Sequence, residues 1–153
     1  MLLSCTRSPL PQAEAGNTEE NNLSNSIVGY WKSDALVVMI DTIHNSETSV
    51  VLNVTKDEWV EKTNLQPIQT IFNKNKTYVS AYASADGKII RMTAGKWEAG
   101  KNQLRIHQLF PSDKQMNYRI DLNDGFAELR SRMDFDGDGK NDDVFYCQMK
   151  KVS

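Results

Sequence analysis

The stretch Thr77-Tyr78-Val79-Ser80-Ala81-Tyr82, followed by a turn at Asp86-Gly87 and by Lys88-Ile89-Ile90-Arg91-Met92, decides how the chain is read. Apolar and polar residues alternate through it, and β-branched and aromatic side chains are frequent, as a strand with one wet face requires. The pattern continues on both sides. Upstream, Thr70-Ile71-Phe72 is set off by a turn at Asn73-Lys74-Asn75-Lys76. Downstream, Gly95-Lys96-Trp97-Glu98 precedes a turn at Gly100-Lys101-Asn102. Runs 103–109, 115–122 and 126–130 follow, separated by Pro111-Ser112-Asp113 and Asn123-Asp124-Gly125. Short strands at regular spacing predict an all-β fold, an up-and-down antiparallel β-barrel or, in the alternative, a sandwich.

The region before this meander is less regular. Ala35-Leu36-Val37-Val38-Met39-Ile40 is a continuous apolar run, either a buried strand or one side of a short helix. Residues 49–55 are rich in β-branched side chains and read as a strand, whereas 56–62 predict a helical turn, a lid at the barrel mouth. Trp59 lies in that turn, as a lid residue touching a ligand or as a plain core contact; large apolar rings favour the second. Earlier still comes Ile27-Val28-Gly29-Tyr30-Trp31-Lys32. This order resembles the first strand of lipocalins and fatty-acid-binding proteins, in which Gly-x-Trp opens the barrel and the indole closes its floor. Gly29 and Trp31 hold those positions.

Together with Tyr78, Gly95-x-Trp97, Leu104-x-Ile106 and an acidic loop near the C terminus, this segment makes residues 27–151 resemble bacterial lipocalin-like, calycin-type lipoproteins. The resemblance implies a lipocalin-like barrel over 26–153 that takes a small, partly apolar ligand in its mouth. Trp59, Tyr78, Tyr82, Trp97 and Tyr118 are the candidate ligand-binding residues. They could equally fill a core with no room for a ligand, because alternation does not say which face of a strand points inward.

The acidic loop is Asp134-Phe135-Asp136-Gly137-Asp138-Gly139-Lys140-Asn141-Asp142-Asp143, five carboxylates in ten residues. Asp134, Asp136 and Asp138 occupy positions 1, 3 and 5, Gly139 position 6 and Asp142 position 9, with the carbonyl of Lys140 available at position 7. A hard cation with six or more oxygen ligands suits that spacing, since alternate side chains converge and glycine permits the turn. Position 12 is Phe145 rather than the glutamate of an EF-hand, and both flanks read as strands. The loop resembles instead the D-x-D-x-D-G-x-x-D calcium loops of integrin-type propeller repeats and dockerin-like modules. That resemblance assigns the ion to Asp134, Asp136, Asp138 and Asp142, as a structural Ca²⁺. The competing reading is a solvated acidic hairpin turn.

At the N terminus, Leu2-Leu3-Ser4-Cys5 resembles the bacterial lipobox, which makes Cys5 the expected lipidation site. Residues 6–25 are rich in Ser, Pro, Asn, Glu and Gly and predict a disordered tether. This combination implies an outer-membrane-anchored lipoprotein of the bacterial cell envelope, facing periplasm or surface, with membrane contact through the anchor only. Cys147 is then unpaired in a strand and reads as a small buried apolar residue.

The totals exclude some functions. One hundred and fifty-three residues make one domain with its own core, burying roughly two thirds of the unfolded surface. A net charge of −2, with scattered lysines and arginines, argues against nucleic acid as a partner. The two histidines, His44 in a polar turn and His107 on the face opposite Leu104 and Ile106, have no nucleophile or carboxylate signature beside them in sequence. No phosphate loop, zinc spacing or haem motif occurs, so the expectation is a non-enzymatic protein. Two other functions stay open beside ligand binding: an envelope interaction or structural module with a filled barrel, binding protein or glycan through its surface, and an inhibitor or accessory subunit of an envelope enzyme.

Overall fold

The computed structural model describes residues 17–43 and 46–153. Cys5, most of the expected tether and His44 lie outside them. A helix, α1 (Asn17–Ile27), leads into nine strands: β1 (Gly29–Ile40), β2 (Val50–Thr55), β3 (Gln69–Phe72), β4 (Thr77–Ala83), β5 (Ile89–Gly100), β6 (Gln103–Phe110), β7 (Lys114–Asn123), β8 (Phe126–Met133) and β9 (Asp143–Lys151). Between β2 and β3 a 3₁₀ turn over Lys56–Glu58 continues into the one-turn helix α2 (Trp59–Thr63), where the sequence predicts a helical turn.

From β3 to β9 each strand pairs antiparallel with the next, and β9 returns to β1. The result is a closed eight-stranded antiparallel barrel. β2 is a ninth strand with its own logic. The first half of β1 (Gly29–Lys32) pairs with β3, while its second half (Ala35–Ile40) gives the same edge to β2. The apolar run at 35–40 is therefore strand, not helix. β9 accompanies β1 from Trp31 to Met39, with a bulge between Ser33 and Ala35. Closure pairs β1 and β9 on both sides, while β2 ends the sheet with β1 as its one strand partner among the described residues.

The two ends of the barrel differ. At the floor, Trp31 and Trp97 are each 1 % exposed and pack with Phe72, Leu104 and Ile120. Trp31 Nε1 donates to Ile27 O at 2.7 Å, which ties the indole to the end of α1. Gly29 precedes it with φ +140°, and a Cβ there would run into Ser153 O and the Lys151 side chain. The Gly-x-Trp motif thus has a steric cause. Gly95 has another: a Cβ would collide with the His107 carbonyl, where the β5–β6 register shifts.

Helix α1 corrects the expected tether. Residues 17–25 are not extended chain; they form most of a helix lying against β5, with Leu23 on the core and Ile27 fully buried. Leu23 and Ile27, four residues apart, share one helical face. Ser24 Oγ donates to Ala99 O at 3.0 Å and accepts from Lys76 Nζ at 3.0 Å. Two apolar residues in a polar segment are a weak sequence signal, and only the barrel floor gives them a surface to cover.

Candidate functional site at the open end of the barrel

Opposite the floor the barrel holds a cavity of about 740 Å³. Strand alternation sends Ser33, Thr70, Ser80, Thr93 and Gln108 inward from β1, β3, β4, β5 and β6. Met116, Tyr118, Leu129, Phe145 and Cys147 face them from β7, β8 and β9. Lys62, Thr63, Leu65 and Ile68 of the connection after β2 line its side, so the expected lid segment borders the cavity. That connection is anchored by Gln66 N donating to Ala83 O and Ser33 N to Ile68 O, at 2.8 and 2.9 Å.

The five aromatic candidates separate. Tyr78, Tyr82 and Tyr118 line the cavity. Trp97 does not: it lies in the floor, edge-on to Phe72 at 5.7 Å, its Nε1 donating to Asn73 O and Thr77 O. Trp59 is 1 % exposed and outside the cavity lining, hence a core contact. The Trp97 indole is held by the turn it anchors, and Trp59 is enclosed by packing alone, its Nε1 without a partner among the described residues. Burial pushes the hydroxyl pKa of Tyr78, Tyr82 and Tyr118 upward, so all three stay protonated donors.

The acidic loop, between β8 and β9, sits at this mouth, and Asp134 and Phe135 line the cavity. Carboxylate oxygens of Asp134, Asp136 and Asp138 lie within 4.8 Å of one another. Asp134 organises the turn: Oδ1 accepts from the N–H of Gly137 (2.7 Å) and Asp138 (3.0 Å), Oδ2 from that of Gly139 (2.9 Å). Gly137 and Gly139 carry φ of +78° and +92°, the conformation that reserves these places for glycine. Three carboxylates at this spacing repel, each pair by about 1 kcal/mol in water and more where water is excluded. Asp138 Oδ2 and Asp142 Oδ1 are moreover buried with no hydrogen-bond partner among the described residues. Convergent carboxylates with leftover oxygens fit a hard cation. The triad can hold a metal ion; Asp142, expected as a fourth ligand, is not in that converging group. Lys140 follows the triad as an exposed residue whose N–H donates to Asp138 Oδ1 at 2.8 Å.

Asp143 was not anticipated as a functional residue. It is fully buried; its Oδ1 accepts from Asp41 N at 2.9 Å, and its Oδ2 from Phe135 N at 2.6 Å and Asp136 N at 3.3 Å. It latches the loop to the end of β1. A second missed contact is His107 Nε2 with Asp113 at 3.2 Å, a pair made when the β6–β7 turn folds back on the outer wall. In sequence the two are merely six residues apart.

Around the mouth an apolar rim faces solvent: Met39 and Val51 at the β1–β2 end, Ile89 and Ile90 opening β5, Phe110 ending β6, and Phe135 in the loop, each between 45 and 59 % exposed. Fold and site together define the class: a closed antiparallel β-barrel with an open-ended cavity and a possible acidic metal-binding triad at its mouth. No protein-family model matches the chain, and no curated protein matches it.

Proposed function

We propose that this is a lipocalin-like binding protein that takes a small, partly apolar molecule in its barrel, with a calcium ion fastening the loop at the mouth. The observation that carries the reading is the cavity of about 740 Å³, within the range of small-molecule sites and lined by apolar walls with a few polar groups. The alternative of a filled barrel acting only through its surface has no comparable support, although the apolar rim suits contact with whatever delivers the ligand. Cys5 as lipid anchor, an envelope location and a non-enzymatic role belong to the same proposal, on the resemblance at the N terminus. A hard divalent cation is proposed because every candidate ligand is an oxygen, from Asp134, Asp136, Asp138 and, by the loop pattern, Asp142 and the Lys140 carbonyl, and calcium among such cations on the loop's resemblance to calcium loops.

Titration of the full chain with a lipophilic fluorescent probe, N-phenylnaphthylamine, tests the cavity: saturable binding at one site supports the reading, and no binding removes it. Calcium titration by calorimetry, with a melting curve at each level, tests the ion. At a hundredfold excess over Kd, binding adds about 2.7 kcal/mol, or about 5–10 °C in melting temperature. Chelator should reverse that rise and Asp136→Ala should abolish it. Identical melting curves with calcium and with chelator would reduce the loop to an acidic turn.

A further inference from the structure

The cavity is chemically two-sided, and one of its polar groups is left over. Ser33, Thr70, Ser80, Thr93 and Gln108 form a row across successive strands, with Thr70 opposite Ser80 and Ser80 opposite Thr93 in register. Most of the row is internally satisfied. Thr70 Oγ1 and Ser80 Oγ are 2.8 Å apart, and Gln108 Nε2 donates to Ser112 O at 3.0 Å. The facing wall is apolar: among the described residues the Tyr118 hydroxyl donates to the Met116 thioether, at 3.4 Å, while its ring lies against Phe145 at 5.7 Å.

Tyr78 is the exception. It is 4 % exposed, its ring lies against Phe72, and its hydroxyl is buried among the cavity groups with no well-formed hydrogen bond among the described residues. Its polar neighbour is Thr93, whose side chain makes a weak hydrogen-bonding contact with the hydroxyl that falls short of a full bond. A buried hydroxyl left unpaired is destabilising, so a ligand that brings an acceptor to this point gains what the apo protein forgoes. The charge of that acceptor follows from what surrounds it. The cationic lining residues, Lys62, Arg91 and Lys114, are all exposed and belong to the mouth; the deep row has hydroxyls and an amide only. A carboxylate placed there would lose its hydration with no cation to replace it.

We propose that the cavity binds an uncharged single-chain amphiphile head-inward, its hydroxyl or carbonyl oxygen accepting from Tyr78 Oη beside Thr93. The hydrocarbon chain then lies along the Tyr118–Phe145 wall toward the mouth. This rests on the cavity being a ligand site, and it adds the ligand's class and direction. No bond is made or broken; one hydrogen bond is exchanged from water to protein.

The test is displacement of bound N-phenylnaphthylamine from the full chain by decanol and by decanoate at neutral pH. Decanol should displace the probe at least tenfold more effectively. Tyr78→Phe should weaken decanol about tenfold while moving the probe's own affinity less than twofold, and its melting temperature should match or exceed that of the wild type, since the unpaired hydroxyl is gone. Decanoate displacing as well as decanol, above all if Arg91→Ala then weakens it, would place a charged head at the mouth and overturn the proposal. So would decanol binding that Tyr78→Phe leaves unchanged. Absence of probe binding to the wild type would instead remove the cavity as a ligand site, and this orientation with it.

Discussion

The floor and the mouth of this barrel are built from the same strands and have opposite character. At the floor both tryptophans are covered and both indole donors have acceptors: Trp31 on Ile27, Trp97 on Asn73 and Thr77, with α1 laid across. At the mouth Ile90 and Phe110 are 58 % exposed, carboxylates crowd and the Tyr78 hydroxyl below is unpaired. An end that only has to fold satisfies its groups internally. The unsatisfied end has the open groups that an ion, a ligand or a surface can complete.

Truncating one side chain at each end should separate floor from mouth most clearly. Trp97→Ala at the floor should lower the free energy of unfolding by about 3–5 kcal/mol, read from the urea midpoint. Phe110→Ala at the mouth should cost no more than about 0.5 kcal/mol, as for other surface changes. Equal costs would mean that the rim is packed rather than available.

Cys147, between the two ends, sharpens that separation. Burial pushes its thiol from the ordinary value of 9.0 up to about 11, although the neighbouring Ser33 hydroxyl lowers it. An unfolded thiol therefore ionises before the folded one. Stability attributable to Cys147 is complete below about pH 9 and is lost as pH rises toward about 11, a loss of about 3 kcal/mol at 1.36 kcal/mol per pKa unit. Between pH 9 and 11 the melting temperature should fall more steeply with pH in the wild type than in Cys147→Ala. A thiol that titrates near 9 would mean that water fills the cavity. The smallest effect belongs to the outer wall: Asp113→Asn, which breaks an exposed pair with His107, should change stability by less than about 1 kcal/mol at any pH.

Much of this was legible in the chain. Alternation in 77–82 and 103–109 gave strands, and Asp-Gly and Asn-Asp-Gly gave turns, because these signals act within a few residues. The Asp134–Asp138 convergence is equally local, since a turn of two glycines is enough to bring 1, 3 and 5 together. Asp143 was not legible as a latch, because its partners include Asp41, about a hundred positions away. Nor were Trp59 and Trp97 separable from Tyr78, Tyr82 and Tyr118: all five are large amphipathic rings, and only closure decides which face the lumen.

The strand grammar, the helical turn after β2, the glycine-and-tryptophan floor motif and the acidic loop are readable along the chain. Each depends on backbone geometry or on side chains within one turn or strand. Tertiary structure alone decided that β1 is shared between β2 and β3, that α1 caps the floor, that the acidic loop opens onto the cavity, and that the Tyr78 hydroxyl is left unpaired there. Those are properties of pairings distant in sequence, fixed only when β9 closes on β1 and the two faces of every strand become an inside and an outside.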